Sequence, residues 1–369
     1  MSAGTACRLL VMAGGTGGHV YPALAVANAV RELGWAVDWV GTERGLEHRV
    51  VPANHIPLHC LAVRGLRGKG FLTRLTGAVR LLLSVVEAFG VVRRTRPDVV
   101  LGMGGYASGP AGIAAWLLRK PLVIHEQNAV AGTTNRLLAP LARRVLCGLP
   151  GAFGQGNATV VGNPVRADIS TLAQQPSTVP SSFSKERPLR LAVLGGSLGS
   201  KPLNDTLPVA LASLDAEERG RLAVRHQCGL EHEAATRSLY NQCADLAVEV
   251  LPYVEDMASM YRWADFVICR AGALTVAELA ISGTPSVLVP LPHAIDDHQT
   301  ANARALSGCG GALLLPQPEM TAARLAKVVS NFIAAPQQLF SMGEKARASA
   351  LPQATQAVVS VLQEVACVA

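Results

Sequence analysis

This sequence is poor in charge, poor in aromatic residues and free of long apolar runs, and each absence excludes a class of protein. Charged residues make up 16% of the 369 residues, against about a quarter in typical soluble domains. Because half of the chain is hydrophobic, intrinsic disorder is nevertheless excluded. Aromatic residues amount to 4%, which is too few for a surface that stacks single-stranded bases. The most apolar stretch, residues 78–92, is interrupted by Arg80 and Glu87 and falls short of the roughly 18 apolar residues of a membrane span.

Paired cysteines and an excess of acidic residues are absent as well. The eight cysteines are scattered without a Cys-x-x-Cys pair, which argues against a zinc site and favours reduced thiols in a cytosolic protein. The 33 basic residues outnumber the 26 acidic ones, and a basic protein favours partners that carry phosphate. With so few aromatic residues, we expect an anionic membrane surface or a phosphorylated small molecule as partner, and no nucleic acid.

What is present is an alternation of short apolar runs, glycine turns and helical patterns, which predicts an α/β fold with parallel sheets. A strand, a glycine turn and a helix at residues 9–18 recur at residues 191–199. This repetition predicts two Rossmann-like domains that face each other across a cleft, with ligands at the carboxyl ends of the strands. Between them, Ser170–Pro188 is either a flexible joint or the start of the second domain. The predicted strands are Arg8–Met12, Ala36–Val40, Val99–Gly102, Leu122–His125, Val145–Cys147, Thr159–Val161, Arg190–Leu194, Ala223–Gln227, Ala247–Leu251, Phe266–Cys269, Ser286–Val289 and Ala312–Leu315.

The first glycine cluster, Gly14–Gly18, is typical of a loop whose amides approach a phosphate at a helix start, although a tight turn is the plainer alternative. A nicotinamide site is disfavoured, because Val20 stands where the third glycine should be and Asp38 lies inside the second strand. His19 follows the loop directly. A helix N-terminus favours the neutral form of histidine, so His19 is a candidate proton acceptor, with a capping or packing role as the alternative.

Two further segments of the first half lie at the carboxyl ends of predicted strands. Gly102–Pro110 contains five Gly or Pro residues in nine and predicts close backbone approach. His125–Asn128 places four polar side chains at the end of a strand, which favours a polar binding pocket. Its spacing does not match His-Glu-x-x-His, so a zinc peptidase is excluded.

The second half repeats the logic of phosphate binding. Gly195–Gly199 is a second glycine turn, and Arg166 at the domain junction is either a phosphate clamp or a solvated linker charge. Ala271–Glu278 leads from a strand through glycine into a helix that should end at Gly283, and Glu278 is a candidate ligand of ribose hydroxyls or a surface residue. In Asp296–Asn302, Gln299 and Asn302 fall on one helical face, which suits sugar hydroxyls better than a cap.

These segments, in this order over nearly the whole chain, resemble the MurG-type glycosyltransferases of peptidoglycan synthesis. The combination of His-Glu-Gln-Asn with Ala-Leu-Thr-x-x-Glu is especially specific. The resemblance implies a GT-B fold, with an acceptor and membrane-associating domain over 1–163 and a UDP-GlcNAc domain over 164–349. A helix of about 350–369 is expected to pack back on the first domain. The shared segments are Gly14–His19, Gly102–Pro110, His125–Leu138, Gly162–Arg166, Gly195–Gly199, Ala271–Glu278 and Pro290–Asn302.

The resemblance implies an inverting transfer of N-acetylglucosamine from UDP-GlcNAc to the 4-hydroxyl of lipid-linked N-acetylmuramoyl-pentapeptide, which converts lipid I to lipid II. The catalytic base would be His19, with Glu126 next in line. His298 stands where some members carry a second Gln. Since no Asp-x-Asp motif lies near these turns, we expect neither a catalytic metal nor a cofactor. The implied substrate ligands are Arg166, Ser197, Ala273, Leu274, Thr275, Glu278 and Gln299 for the donor, Tyr106 and Asn128 for the acceptor, and Thr16, Gly17, Gly18 and His298 as further substrate-binding residues.

The segment Arg64–Arg96 carries eight basic residues and one acidic residue, Glu87. Apolar residues from Leu72 to Val86, including Leu82 and Leu83, follow helical spacing and should pack on the sheet, while Phe71, Leu81 and Val85 fall off that stripe. Apolar residues rimmed by basic ones suit anionic lipid, so we expect peripheral binding at the cytoplasmic face of the inner membrane.

Three alternatives to this function stay open from the sequence alone. Two are other GT-B enzymes, namely a UDP-sugar 2-epimerase and a diacylglycerol glycosyltransferase. The third is a catalytically silent nucleotide-sugar-binding protein of the cell-wall machinery. Other cell-wall synthesis proteins are candidate partners in every case.

Overall fold

The computed structural model describes residues 7–63, 71–154, 156–176, 179–243, 245–292 and 297–367, with only the backbone over 71–80. The chain divides into two compact units, Met1–Arg166 with Gln353–Ala369, and Ala167–Pro352. Among the helices in the described ranges, none combines the length and the apolar character needed to cross a bilayer.

The first unit is built on a seven-stranded sheet in which every neighbouring pair is parallel. The spatial order of its strands is β3-β2-β1-β4-β5-β6-β7. The strands are β1 (Arg8–Ala13), β2 (Ala36–Gly41), β3 (Leu58–Cys60), β4 (Val99–Gly104), β5 (Leu122–Glu126), β6 (Arg144–Cys147) and β7 (Thr159–Val160). The helices are α1 (Gly17–Glu32), α2 (Glu47–Ala53), α3 (Phe71–Thr95), α4 (Ser108–Leu117) and α5 (Thr133–Leu138).

The second unit repeats this architecture with six parallel strands in the order β10-β9-β8-β11-β12-β13. The strands are β8 (Leu189–Leu194), β9 (Leu222–Gln227), β10 (Ala247–Leu251), β11 (Phe266–Cys269), β12 (Ser286–Leu288) and β13 (Ala312–Leu314). The helices are α6 (Ala167–Ser170), α7 (Lys201–Ala212), α8 (Ala216–Gly220), α9 (Glu233–Tyr240), α10 (Met257–Trp263), α11 (Ala273–Ser282), α12 (His298–Ser307), α13 (Ala322–Ala334) and α14 (Pro336–Ala348).

The last helix, α15 (Ala354–Cys367), belongs to the first unit although it follows the second in sequence. It is amphipathic, and its apolar side chains Val358, Leu362 and Val365 are buried in the same core as Val26 and Val30 of α1. The chain therefore returns to its first unit after completing the second.

The central strands read as continuous apolar runs because both faces of each sheet are covered. In β1, Leu9 and Val11 enter one core while Leu10 and Met12 enter the other, and all four are fully buried. Parallel strands that are buried on both faces require this pattern. Because all strands run the same way, the loops at their carboxyl ends gather at one edge of each sheet, and that edge carries the glycine and polar segments.

The predicted α/β class with two Rossmann-like units is confirmed, and all twelve predicted strands are present with ends that differ by at most two residues. The strand β3 was not predicted, because its three residues are half-buried or exposed and form no apolar run. Of the two interpretations of Ser170–Pro188, its described residues support the start of the second unit, because Leu172 and Phe183 are buried there.

The predicted buried stripe of α3 is wrong in phase. Leu82, Leu83 and Val86 are 66, 57 and 64% exposed, whereas Ser84 and Ala88 are buried against the rest of the unit. Small side chains let the helix backbone approach its neighbours closely, so spacing of large apolar residues alone gave the wrong face. The side chains of Phe71, Leu72, Leu75 and Val79 lie outside the described residues.

Candidate active site

The glycine loops after β1 and β4 touch each other through their backbones. A Cβ on Gly105 would lie 2.4 Å from the carbonyl oxygen of Gly14, so only glycine allows this approach. Buried Ser108 lies in the same place, and its hydroxyl is 2.8 Å from the Met12 carbonyl oxygen and 2.7 Å from that of Gly104. The loop predicted over Gly102–Pro110 is shorter than expected, because β4 extends to Gly104 and α4 begins at Ser108. The close backbone approach expected there is found at Gly105, against the first loop.

His19 lies in the first turn of α1, above the contact between the loops. Its Nδ1 is 3.2 Å from the carbonyl oxygen of Gly14. Since a carbonyl only accepts, Nδ1 carries the proton in this bond, and in the neutral ring the lone pair is then on Nε2. The Nε2–Cδ2 edge lies over Gly104, where a Cβ would come within 3.1 Å of both atoms. The ring is therefore held by Gly14 at Nδ1, with its Nε2–Cδ2 edge towards Gly104.

Glu47, which the sequence analysis did not single out, lies beneath the first glycine loop and is fully buried. Its Oε2 accepts the Gly15 N–H at 2.8 Å. Its Oε1 accepts the Thr42 N–H at 2.9 Å and the Thr42 hydroxyl at 2.8 Å. No signal in the sequence marks Glu47, because the Gly15 amide that it accepts lies 32 residues away.

Glu126, the second candidate base, is buried at the end of β5 and accepts four hydrogen bonds. Oε1 accepts the backbone and side-chain N–H groups of Asn128, both at 3.0 Å. Oε2 accepts the Gly132 N–H at 3.0 Å and the Asn135 side-chain N–H at 2.9 Å. A carboxylate used in this way shapes the loop after β5, and the geometry favours that role over proton abstraction.

The neighbouring His125 and Gln127 are also buried and bonded to protein groups, so the structure differs from the predicted polar pocket. His125 Nε2 donates to the Gly162 carbonyl at 2.9 Å, and Gln127 Nε2 donates to His125 Nδ1 at 3.2 Å. Burial lowers the pKa of His125 to about 4, which keeps the ring neutral. Asn163 completes the network by donating to the Gln127 carbonyl at 3.0 Å. Of the four polar residues, only Asn128 is half-buried rather than buried.

The remaining candidates of the first unit are Thr16, Gly17, Gly18 and Tyr106 for the acceptor and Arg166 for the donor. Thr16 is exposed at the N-terminus of α1, with Gly17 and Gly18 half-buried in its first turn. Tyr106 is 53% exposed between the second glycine loop and α4. Arg166 is half-buried as the last residue of the first part of this unit, immediately before α6.

In the second unit, Gln227 holds the glycine loop after β8. Its Oε1 accepts the Gly195 N–H at 3.0 Å, and its Nε2 donates to the carbonyls of Gly196 at 2.9 Å and Pro252 at 3.3 Å. One carboxamide thereby ties the ends of β8 and β10 together. Ser197 at the tip of the loop is exposed.

A buried chain of hydrogen bonds supports the same loop from below. His226 Nδ1 lies 2.8 Å from the Tyr240 hydroxyl and its Nε2 lies 3.0 Å from Asn204 Oδ1. Asn204 Nδ2 donates to the Cys228 carbonyl at 2.9 Å. A Cβ on Gly199 would fall 1.8 Å from that carbonyl oxygen, so the two loops meet there. Burial lowers the pKa of His226 to about 3.

The α11 helix starts at Ala273 after Gly272 and ends at Gly283, as predicted, where φ is +64°. Glu278 is 6% exposed, which excludes the surface alternative, and its Oε2 accepts the Tyr261 hydroxyl at 2.8 Å. Leu274 and Thr275 are half-buried in the first turn. A helix N-terminus above a buried, positioned carboxylate suits a phosphorylated nucleoside.

The α12 segment only partly follows the sequence prediction. Gln299 Oε1 accepts the Leu291 N–H at 2.9 Å. The preceding residue, His298, is the first residue of α12 and is half-buried. Asn302, however, is fully buried and donates to the Ala271 carbonyl at 3.2 Å, so it holds the loop before α11 rather than facing a sugar. Residues 293–296, including Asp296, lie outside the described part of the chain.

Arg270, which the sequence analysis also missed, bridges the ends of three strands. Its guanidinium donates to the Val289 carbonyl at 3.2 Å, the Pro290 carbonyl at 3.3 Å and the Gln317 side chain at 2.7 Å. Burial lowers the pKa of Arg270 from its usual value.

Comparisons with known proteins agree with this architecture. Residues 9–147 match the glycosyltransferase family 28 N-terminal domain and residues 190–358 match its C-terminal domain. The UDP-N-acetylglucosamine–N-acetylmuramyl-(pentapeptide) pyrophosphoryl-undecaprenol N-acetylglucosamine transferase of Alkalilimnicola ehrlichii is 52% identical, covering 96% of this chain and 98% of that protein. The protein of the same name from Pseudomonas aeruginosa is 50% identical, over 97% of this chain and 99% of its own length.

Solved structures give the same answer. The crystal structure of Acinetobacter baumannii MurG superposes with a TM-score of 0.82 at 40% identity, covering 97% of this chain and 99% of that one. The glycosyltransferase VinC, at 16% identity and a TM-score of 0.64 over 98% of this chain, shares the fold alone. The match of both domains and the identity over nearly the full length show that the chain belongs to glycosyltransferase family 28 and, within it, to the MurG-type N-acetylglucosamine transferases.

Proposed function

We propose that this chain transfers N-acetylglucosamine from UDP-GlcNAc to the 4-hydroxyl of lipid-linked N-acetylmuramoyl-pentapeptide, converting lipid I to lipid II in peptidoglycan synthesis. The observation that carries this function is the sequence identity of 52% and 50%, over almost the whole chain, to two transferases whose names describe this reaction. Both units contribute to that identity, so the donor and acceptor halves of the reaction are covered together.

The donor belongs to the second unit, where α7 and α11 present their N-termini at the same edge of the sheet. Helix N-termini and glycine amides favour the diphosphate of UDP, with Ser197 and residues 273–275 as its ligands. Arg166, the residue directly before α6, is a further candidate ligand of that diphosphate. A carboxylate has room for about four hydrogen bonds, so Glu278, held by Tyr261, accepts both ribose hydroxyls. The sugar hydroxyls are assigned to Gln299 and His298.

The acceptor belongs to the first unit, at the glycine loops after β1 and β4. The amides at Thr16, Gly17 and Gly18 suit its diphosphate, because they form the N-terminus of a 16-residue helix. Tyr106 and Asn128 are assigned to the acceptor sugar, while Glu126 keeps the loop that carries Asn128 in place.

The reaction is an inverting displacement at the anomeric carbon. His19 Nε2 takes the proton of the acceptor 4-hydroxyl as the oxygen forms its bond to C1 of N-acetylglucosamine. The bond between C1 and the diphosphate oxygen breaks, and UDP leaves with its electron pair. The N-termini of α7 and α11 stabilise the charge that develops on the leaving group. The proton remains on His19 until solvent removes it.

We further propose that the first unit docks on an anionic membrane at the cytoplasmic face. The exposed residues Leu82, Leu83 and Val86 lie on α3, which packs beside α4. Trp116 at the end of α4 and Leu137 on α5, the next helix in contact, are exposed as well. Large apolar side chains exposed on helices that contact one another are typical of an interaction surface, and an acceptor with a polyprenyl tail requires contact with lipid.

Basic residues supply the electrostatic part of this docking. Arg93, Arg94 and Arg96 are exposed at the end of α3 and its following turn. Arg64, Arg67 and Lys69, and the side chains of Arg74 and Arg80, lie outside the described residues. Each basic residue near an anionic surface contributes about 1 kcal/mol, an attraction that salt weakens.

An acceptor-dependence assay tests the function. Release of UDP from UDP-GlcNAc is measured with and without lipid I, and we expect rapid release only when lipid I is present. Release at equal rates without acceptor would favour a hydrolytic or epimerising enzyme. If calorimetry shows that the protein binds UDP but no UDP is released from UDP-GlcNAc under either condition, the protein is a catalytically silent nucleotide-sugar-binding protein.

A further inference from the structure

Glu47 is a buried carboxylate whose role the donor and acceptor assignments leave unexplained. It is the first residue of α2 and is fully buried beneath the loop that joins β1 to α1. A buried charge requires compensation, and Glu47 receives it from three hydrogen bonds, one from Gly15 and two from Thr42. Within the described part of the chain, the three hydrogen bonds that Glu47 accepts come from uncharged N–H and O–H groups.

The backbone around Glu47 is shaped to admit this carboxylate. A Cβ on Gly14 or Gly41 would come within 2.5 Å of a Glu47 side-chain atom, and one on Gly45 would come within 2.0 Å. None of these three glycines has a positive φ. Glycine is therefore required there because the Glu47 side chain fills the room that a Cβ would take, and not because of an unusual backbone conformation. Two connections, the loop after β1 and the one between β2 and α2, therefore close around one carboxylate at the edge of the sheet where His19 lies.

The peptide group between Gly14 and Gly15 connects this carboxylate to His19. Its N–H, on Gly15, donates to Glu47 Oε2 at 2.8 Å. Its carbonyl, on Gly14, accepts the hydrogen bond from His19 Nδ1 at 3.2 Å. A single peptide unit thus lies between the carboxylate and the imidazole, with its dipole aligned so that each hydrogen bond polarises the other.

We propose that Glu47 is a positioning residue for His19 and acts through the Gly14–Gly15 peptide. The carboxylate fixes the plane of that peptide, and the peptide carbonyl in turn fixes the ring and keeps its proton on Nδ1. When Nε2 takes the proton of the acceptor hydroxyl, the bond from Nδ1 to Gly14 becomes charge-assisted and therefore stronger. Glu47 touches no substrate. The inference rests on the proposed function, in which His19 is the base.

The test is a double-mutant cycle on Glu47→Gln and His19→Ala, with kcat and KM measured for transfer to lipid I. Glutamine has the size of glutamate but offers only one acceptor oxygen, so it cannot serve both Gly15 and Thr42. Because small misplacements of a catalytic group are costly, we expect kcat of Glu47→Gln to fall roughly 10- to 100-fold. KM for UDP-GlcNAc, which binds the other unit, should stay within about twofold. When His19 is already replaced by alanine, adding Glu47→Gln should lower kcat by less than about threefold.

Glu43→Gln provides the matched control, because it makes the same substitution at an exposed position of the same connection and leaves all three hydrogen bonds to Glu47 in place. We expect its kcat to stay within about threefold of the parent. Equal losses from Glu47→Gln with and without His19 would show an independent structural role and overturn the proposal. Near-normal turnover of His19→Ala alone would instead refute His19 as base, which is a separate outcome.

A spectroscopic measurement covers the case in which Glu47→Gln fails to fold, as judged by thermal unfolding. Long-range proton–nitrogen NMR spectra of the parent protein, with the His19 signals assigned by comparison with His19→Gln, report which ring nitrogen carries the proton. The proposal expects the proton on Nδ1. A ring protonated on Nε2 in the resting protein would overturn it without any variant of Glu47.

Discussion

Glu278 offers the sharpest test of donor binding, because both its burial and its hydrogen-bond partner Tyr261 are defined in the structure. The carboxylate is 6% exposed, and Oε2 accepts the Tyr261 hydroxyl at 2.8 Å. Glu278→Ala removes the charged acceptor that we assign to the two ribose hydroxyls. Loss of a hydrogen bond to a charged group costs about 1.5–3 kcal/mol, which corresponds to roughly 10- to 100-fold in the dissociation constant for UDP.

The assay compares UDP with 2′,3′-dideoxy-UDP by calorimetry on the parent and on Glu278→Ala. The parent should prefer UDP by roughly 10- to 100-fold, and the variant should bind both compounds with the same, weaker affinity. Glu344→Ala, on an exposed position of α14, is the control and should bind as the parent does. Because the substitution also leaves the Tyr261 hydroxyl without its partner, thermal unfolding must be recorded alongside. A folded Glu278→Ala protein that still prefers UDP to its dideoxy analogue would refute the ribose assignment.

Four further predictions concern the base, its surroundings, the membrane and acid stability. His19→Ala should lower kcat by roughly 10²–10⁴ with unchanged UDP affinity, since a base acts in the transition state. Gly104→Ala should lower kcat at least tenfold in the same assay, because the new methyl group would lie 3.1 Å from the reactive edge of that ring at a φ of +98°. Leu82→Ser with Val86→Ser should reduce flotation with anionic vesicles, and full retention would exclude α3 as the anchor. The pKa of His226 is about 3 in the folded protein and 6.5 in the unfolded chain, so the unfolded chain binds the proton first as the pH falls. The free energy of unfolding should therefore decrease below pH 6.5, by about 2 kcal/mol at pH 5. In thermal unfolding experiments, His226→Asn should remove that loss.

The fold was predictable because local signals agreed with one another. Apolar runs between glycine turns gave twelve strands, and the repeated pattern at residues 9–18 and 191–199 gave two units of the same kind. The face of α3 was not predictable in this way, since its buried side carries the small residues Ser84 and Ala88 rather than the large apolar ones.

The candidate site was predictable where its residues lie next to each other in sequence, as in Gly14–His19 and Ala271–Glu278. It was not predictable where partners are distant, because Glu47 lies 32 residues from the amide it accepts. Glu126 shows the same limit. Its position at the end of a strand indicated function, but only the structure shows that Asn128, Gly132 and Asn135 occupy its oxygens.

The linkage formed in the product tests the central claim most directly. The protein is incubated with lipid I and UDP-GlcNAc carrying ¹³C at C1 of the sugar, and the lipid product is examined by NMR. An inverting transferase of this family must give one new β-linkage from the labelled carbon to the 4-oxygen of the N-acetylmuramoyl residue, with one UDP released for each label transferred. An α-linkage, attachment at another hydroxyl, or labelled free sugar with no label in the lipid would contradict the account.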